Sequence, residues 1–290
     1  MQSKVGRFFI GVLLAAAAFL VYFLISNGIG VVVLFLISAV FAAQNPEMDP
    51  QQLENKLNDV FQGLVPTIFV LTTIVLVILS YAFFIFMNKN FKDYTRFKKI
   101  QWPFVMLSFF LGYALNMASL ALMELVPISQ SWFEDHEQHV TFYGPVIFII
   151  LAVVVCAPLL EEIVFRGLIY TVLKKHSATW IAALISAVVF GAVHGNMLQA
   201  IYAGIMGLVC VYVYEMTESL LGSILVHLGF NATDIVNGLI QAFVGVRFDK
   251  LPSIPLLIAS GIATAVMMVL LFNLNRKNKY ARDIYRMTLK

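Results

Sequence analysis

The chain predicts an all-α polytopic membrane protein with about eight transmembrane helices, and three observations carry that reading. Of its 290 residues, 61% are hydrophobic and only 12% charged, against roughly 25% charged in soluble domains. Mean hydropathy is +0.89. Several apolar runs reach the ~20 residues that cross hydrocarbon as helix.

Charge is sorted along the chain. Basic residues gather at Lys89, Lys92, Arg96, Lys98 and Lys99, at Lys174-Lys175, and from Arg276 to Lys290. Acidic residues gather in Glu47–Asp59 and Glu134–Glu137. The positive-inside rule puts the basic group in the cytoplasm, C-terminus included, in a multi-pass protein of the cell membrane. The basic tail reads as a topology determinant, not a nucleic-acid contact. Cys156 and Cys210 fall in apolar runs and read as small buried hydrophobes. They suggest neither a disulfide framework nor a cysteine metal site.

In chain order, Lys4 and Arg7 precede an apolar run from Phe8 to Ile25 that resumes at Val31–Ala43 after Asn27-Gly28-Ile29-Gly30. That continuation favours a retained anchor over a cleaved signal. It leaves open one broken span or a span plus a re-entrant piece. Gln44 to Gln62 is polar and acidic with turn signals at Asn45-Pro46 and Asp49-Pro50, an outer segment that is helical in part. Val65–Met87 spans inward to the basic loop 88–101, and Pro103–Val126 spans outward to the acidic loop Pro127–Tyr143. Gly144 to about Leu173 is one long helix, followed by spans at Ala178–His194, Met197–Tyr214, Leu220–Ala242 and Ile254–Leu274. Residues 1–100 form an N-terminal membrane extension, 101–275 the core that carries the polar groups, and 276–290 the tail.

Polar groups inside such spans need a reason, because a charge at the bilayer centre costs about 2.5–3.5 kcal/mol on insertion scales. Three clusters stand out. The first is Glu161-Glu162 with Arg166, at the end of the apolar run Pro145 to Leu160. Consecutive helical residues diverge by about 100°, while i and i+4 share a face. Glu162 and Arg166 can therefore pair, leaving Glu161 free for chemistry. A plain interfacial ion pair is an equal reading of this cluster alone. The second is His194, with Phe190 one turn earlier where its ring can wall the imidazole. A lone membrane histidine is more often a hydrogen-bonding strut. The third is His227 with Asn231 at i+4 and Asp234 at i+7, a polar stripe that Asn237 extends, or simple interhelical glue. Together, a carboxylate, two imidazoles and an amide on three helices are the parts of a hydrolytic site.

Glu161-Glu162-x-x-x-Arg166, Phe190-x-x-x-His194 and His227-x-x-x-Asn231 resemble the motifs of the CAAX-protease and bacteriocin-processing (CPBP, or Abi) intramembrane proteases, over about residues 100–240. The resemblance implies catalytic roles for Glu161, His194 and His227, assistance from Asn231, and support from Glu162 and Arg166. It leaves Asp234 unassigned. It also implies a peptide or protein substrate in or near the bilayer: a prenylated tail, a bacteriocin or pheromone precursor, or another membrane-proximal peptide.

Two mechanisms stay open. Glu161, His194 and His227 form a His₂Glu set of the kind that holds catalytic Zn²⁺. Alternatively, Glu161 and His194 activate water without a metal while His227 and Asn231 hold the oxyanion. No His-Glu-x-x-His helix independently demands zinc. Two other function classes compete. Intramembrane polar residues also serve transporters, but no paired halves with broken helices are evident. A non-catalytic scaffold or immunity protein would not need the intact motif set. At 1.5 Å per residue, Glu161 lies about 20 Å from Lys174, which places the site in the cytoplasmic half or near the midplane.

Overall fold

The computed structural model describes residues 4–86, 88, 90–140 and 143–288; Lys89 and Lys290 of the basic clusters lie outside them. The described residues are predominantly helical, with no strand among them. In hydrocarbon only an internally hydrogen-bonded backbone is tolerated, so apolar runs this long have no other stable form.

The first helix, α1 (Lys4–Gln44), is unbroken across Asn27-Gly28-Ile29-Gly30. Asn27 turns its amide back onto the Phe23 carbonyl at 2.8 Å instead of opening a turn. At 41 residues α1 is about 61 Å long, twice the hydrocarbon thickness. A turn at Asn45-Pro46 leads into α2 (Pro50–Phe86), which absorbs the acidic segment. Asp49 caps it by accepting from the backbone N–H groups of Gln51 and Gln52, and Pro50 sits where no N–H is needed.

Short helix α3 (Phe91–Thr95) occupies the basic loop, capped by Asn90. Next come α4 (Trp102–Leu125) and the outer-loop helix α5 (Gln130–Val140). Helix α6 is the 31-residue span Val146–His176. Then follow the hairpin of α7 (Thr179–Ala192) and α8 (Met197–Thr217), α9 (Leu220–Asn231), α10 (Thr233–Val244) and α11 (Ser253–Thr288).

Six of these helices are long and apolar enough to cross a membrane, and α9 with α10 passes the same test as a pair bent by 55°. The remaining apolar segment, α7, has 14 residues and reaches only about 21 Å. Together they account for the eight apolar segments read from the sequence.

The basic ends lie together. Lys175 sits over the Tyr94 ring at 3.9 Å, and Asn278 bonds Gln101 at 3.2 Å. Glu215 gathers three of these ties, accepting from Arg96 at 3.2 Å, Tyr170 at 3.1 Å and Lys174 at 2.6 Å. The basic loop is thereby fastened to the ends of α6 and α8.

The core forms where α6, α7, α8, α9 and α4 meet around Phe165, Phe190, Tyr170, Tyr214 and Leu111, all nearly or wholly buried. Glycines set the spacing between α4 and α9. A methyl on Gly112 would overlap the Val226 carbonyl, and one on Gly229 the Phe109 carbonyl. The two backbones touch.

Candidate active site

Helix α6 places the glutamate pair halfway along its length, about 22 Å from either end. It is not uniformly α-helical. Six α-helical residues, Ala157–Glu162, lie between π-helical segments Leu151–Cys156 and Ile163–Tyr170. Wide turns of this type recur at functional sites because they redirect side chains and free backbone groups.

A sequence cause is visible. Ala157 donates its N–H to the Ala152 carbonyl, five residues back. In that register the Val153 carbonyl would accept from residue 158, which is proline and has no N–H. The orphaned carbonyl takes the side-chain amide of Asn231 at 2.9 Å. Asn231, at the end of α9, is thus moored to the helix that carries the glutamates.

Glu162 and Arg166 pair as their spacing predicts, Nη1 to Oε1 at 2.8 Å, both side chains fully buried. Arg166 also donates through Nη2 to the Gly207 carbonyl of α8 at 3.0 Å and lies over the Phe190 ring at 4.5 Å. A Cβ on Gly207 would come within 3.1 Å of that same nitrogen, so glycine makes room for the guanidinium.

Glu162 does more than neutralise Arg166. The same oxygen lies 3.1 Å from His227 Nδ1, and on the far side of the ring Nε2 faces Glu161 Oε2 at 3.8 Å. A carboxylate on one ring nitrogen sets the orientation of the other. Glu161 keeps partial exposure while Glu162 has none. The two acids are therefore distinct in environment as well as direction.

Phe190 is where the clusters meet. Its buried ring stands edge-on to His194 at 4.9 Å, to His227 at 5.7 Å and to Phe165 at 4.9 Å. His194 Nδ1 is held by the Phe190 carbonyl at 2.8 Å, which leaves Nε2 available. The turn bearing His194 is fixed by Asn196, whose side chain caps α8 through the Gln199 N–H at 2.7 Å.

Asp234 does not join. The polar stripe presumed one continuous helix, but the chain bends by 55° at Ala232, between α9 and α10. Asp234 is exposed beyond the bend. Asn237 turns to α4, accepting from Tyr113 at 2.6 Å. The carbonyls of Val153 and Gly207 were missed, since no side chain announces them; Pro158 was the available signal for the first.

The His₂Glu set does not fit a metal ion in this arrangement. Among the described residues, no three His, Cys, Asp or Glu side chains converge closely enough to hold one. What the site presents is a carboxylate facing one imidazole, with a second imidazole and an amide held nearby.

Comparison with known proteins agrees with the motifs. Residues 143–233 match the model of the family described as Type II CAAX prenyl endopeptidase Rce1-like. The chain is 32% identical over 92 residues to "Putative membrane peptidase YdiL" of Bacillus subtilis, covering 32% of this chain and 37% of that protein. It is 26% identical over 147 residues to "UPF0177 protein YbdI" of Lactococcus lactis, covering 49% of this chain and 78% of that one. No solved structure matches. The chain thus spans little more than a third of the first relative's length. These findings bear out the family resemblance, and with the apolar helices they make this an integral multi-pass membrane protein.

Proposed function

We infer, taking as premise that residues 143–233 carry the Rce1-like family's pattern, that this chain is an intramembrane endopeptidase acting on a membrane-proximal or lipid-modified peptide. One observation carries the reading beyond family membership: Glu161 faces His227, and the buried Glu162–Arg166 pair holds His227 in place. A structural ion pair alone would not require a second, partly exposed carboxylate across the ring.

Glu161 accepts a proton from water as the oxygen attacks the peptide carbonyl carbon. Glu162 holds His227 through Nδ1, which keeps Nε2 on the side of Glu161 and the attacking water. The second N–H of Asn231 Nδ2, the first being spent on Val153, is the donor to the developing oxyanion. Collapse of the tetrahedral intermediate breaks the C–N bond, and the proton taken by Glu161 passes to the leaving amine, directly or through His194 Nε2. Orientation follows from charge: with the basic ends in the cytoplasm, both described chain ends lie on that side.

The test is a comparison of peptides released by cells carrying the wild-type chain or Glu161→Ala at equal membrane abundance. Loss of specific peptides in the variant supports the reading, and their chemistry identifies the substrate. Identical peptide sets would overturn it.

A further inference from the structure

Where α2 meets α3 the chain lines a cavity of about 440 Å³ to which none of the glutamate, histidine or asparagine residues of the candidate active site contributes. Its floor is aromatic: Phe84 and Phe91 meet edge-on at 5.4 Å, and Tyr81 joins Phe91 at 6.2 Å. Its rim is polar, made by Asn88, Asn90 and Lys92. The apolar sequence of α2 runs on past Ala82 and turns polar only at Asn88. The cavity, lined by Tyr81, Phe84 and Ile85 on one side and Asn88, Asn90 and Lys92 on the other, therefore straddles the boundary where hydrocarbon gives way to headgroups. A ligand filling it has to be apolar at one end and polar at the other.

The rim also has a sign. Among the described residues, three nearby cations are engaged: Arg96 and Lys174 on Glu215, and Lys98 on Glu218. Lys92 has no carboxylate partner among the described residues, and Asp93 does not line the cavity. Asn90 spends its side-chain oxygen on the Lys92 and Asp93 N–H groups, so what it retains is a donor. An ammonium beside amide donors suits a phosphate oxygen and disfavours a bound cation.

We propose that this cavity seats an anionic phospholipid, with its phosphodiester on Lys92 and the two amides and its upper acyl chain against the three rings. A zwitterionic choline lipid would bring a fixed positive charge to a rim that is already cationic. Because α3 is tied through the basic loop to α6 and α8, a lipid here bridges α2 to the part of the chain that carries the site.

The test uses the full chain in detergent, titrated with phosphatidylglycerol or phosphatidylcholine of identical chains, with bound lipid read by native mass spectrometry. Phosphatidylglycerol should be retained at about fivefold lower concentration, and Lys92→Gln should erase the difference, the effect of one basic group near an anionic headgroup. Lys92→Arg should keep it, and Lys99→Glu, outside the cavity, should change it little. Equal retention of the two lipids, or an equal loss with Lys99→Glu, overturns the proposal in favour of diffuse surface charge. Displacement of the lipid by millimolar inorganic phosphate alone overturns it in favour of a free-phosphate site.

Discussion

Glu162→Ala separates structure from chemistry at this site. It leaves Arg166 fully buried with its Gly207 bond and ring contact but no counter-charge. Removing one partner of a buried pair costs about 3–5 kcal/mol, because the desolvated charge left behind has nothing to offset it. His227 loses its Nδ1 partner as well, a further ~1–3 kcal/mol if that atom stays dry. The pair is not perfectly served even in the wild type, since Glu162 Oε2 and Arg166 Nε are buried without a hydrogen-bond partner among the described residues. A well-packed apolar replacement of both residues should therefore recover much of the loss. The measurement is a double-mutant cycle on thermal unfolding in detergent, with Glu162→Leu, Arg166→Leu and the double variant. Each single change should be strongly destabilising and the double clearly less so than their sum, with a coupling of about 2 kcal/mol or more. Additive losses would refute the pairing as the source of stability. Peptide cleavage should stay low in the double variant even where stability returns, because His227 is no longer held.

Other outcomes follow from the same geometry. Asn231→Ala should reduce kcat about 10²–10³-fold, the usual effect of losing an oxyanion donor, while substrate affinity changes little. Pro158→Ala restores an N–H that competes with Asn231 for the Val153 carbonyl, so it should lower kcat in the same direction but less. Wild-type turnover in that variant would separate the proline from the site. Dialysis against a strong chelator should leave cleavage intact, since the candidate ligands do not converge. Loss that Zn²⁺ restores would show that the donors rearrange around a metal.

Much of the site was legible because its motifs lie on helices, where a spacing of four fixes a shared face. Glu162 with Arg166, and Phe190 with His194, met as that rule requires. The rule failed where the helix did not continue: nothing between His227 and Asp234 signals a bend as a proline would, and the bend at Ala232 parts them. The break expected near Asn27 also failed to appear, whereas the turn signals at Asn45-Pro46 and Asp49-Pro50 do separate α1 from α2. An apolar surrounding offers the backbone no partner but itself, so glycine and asparagine signals that end helices in water are overridden. The π-helical register was hidden for a different reason. It depends on which amide each carbonyl finds, and a proline shows only that one amide is missing.

The contact of α4 with α9 has a kinetic consequence. Backbones that already touch at Gly112 and Gly229 cannot be parted by rotating side chains. A peptide admitted along that seam has to wait for whole helices to separate, a motion of microseconds to milliseconds. Turnover by this route would then be paced by opening rather than by bond cleavage, and bulkier residues at the glycines would show their effect in the rate of entry.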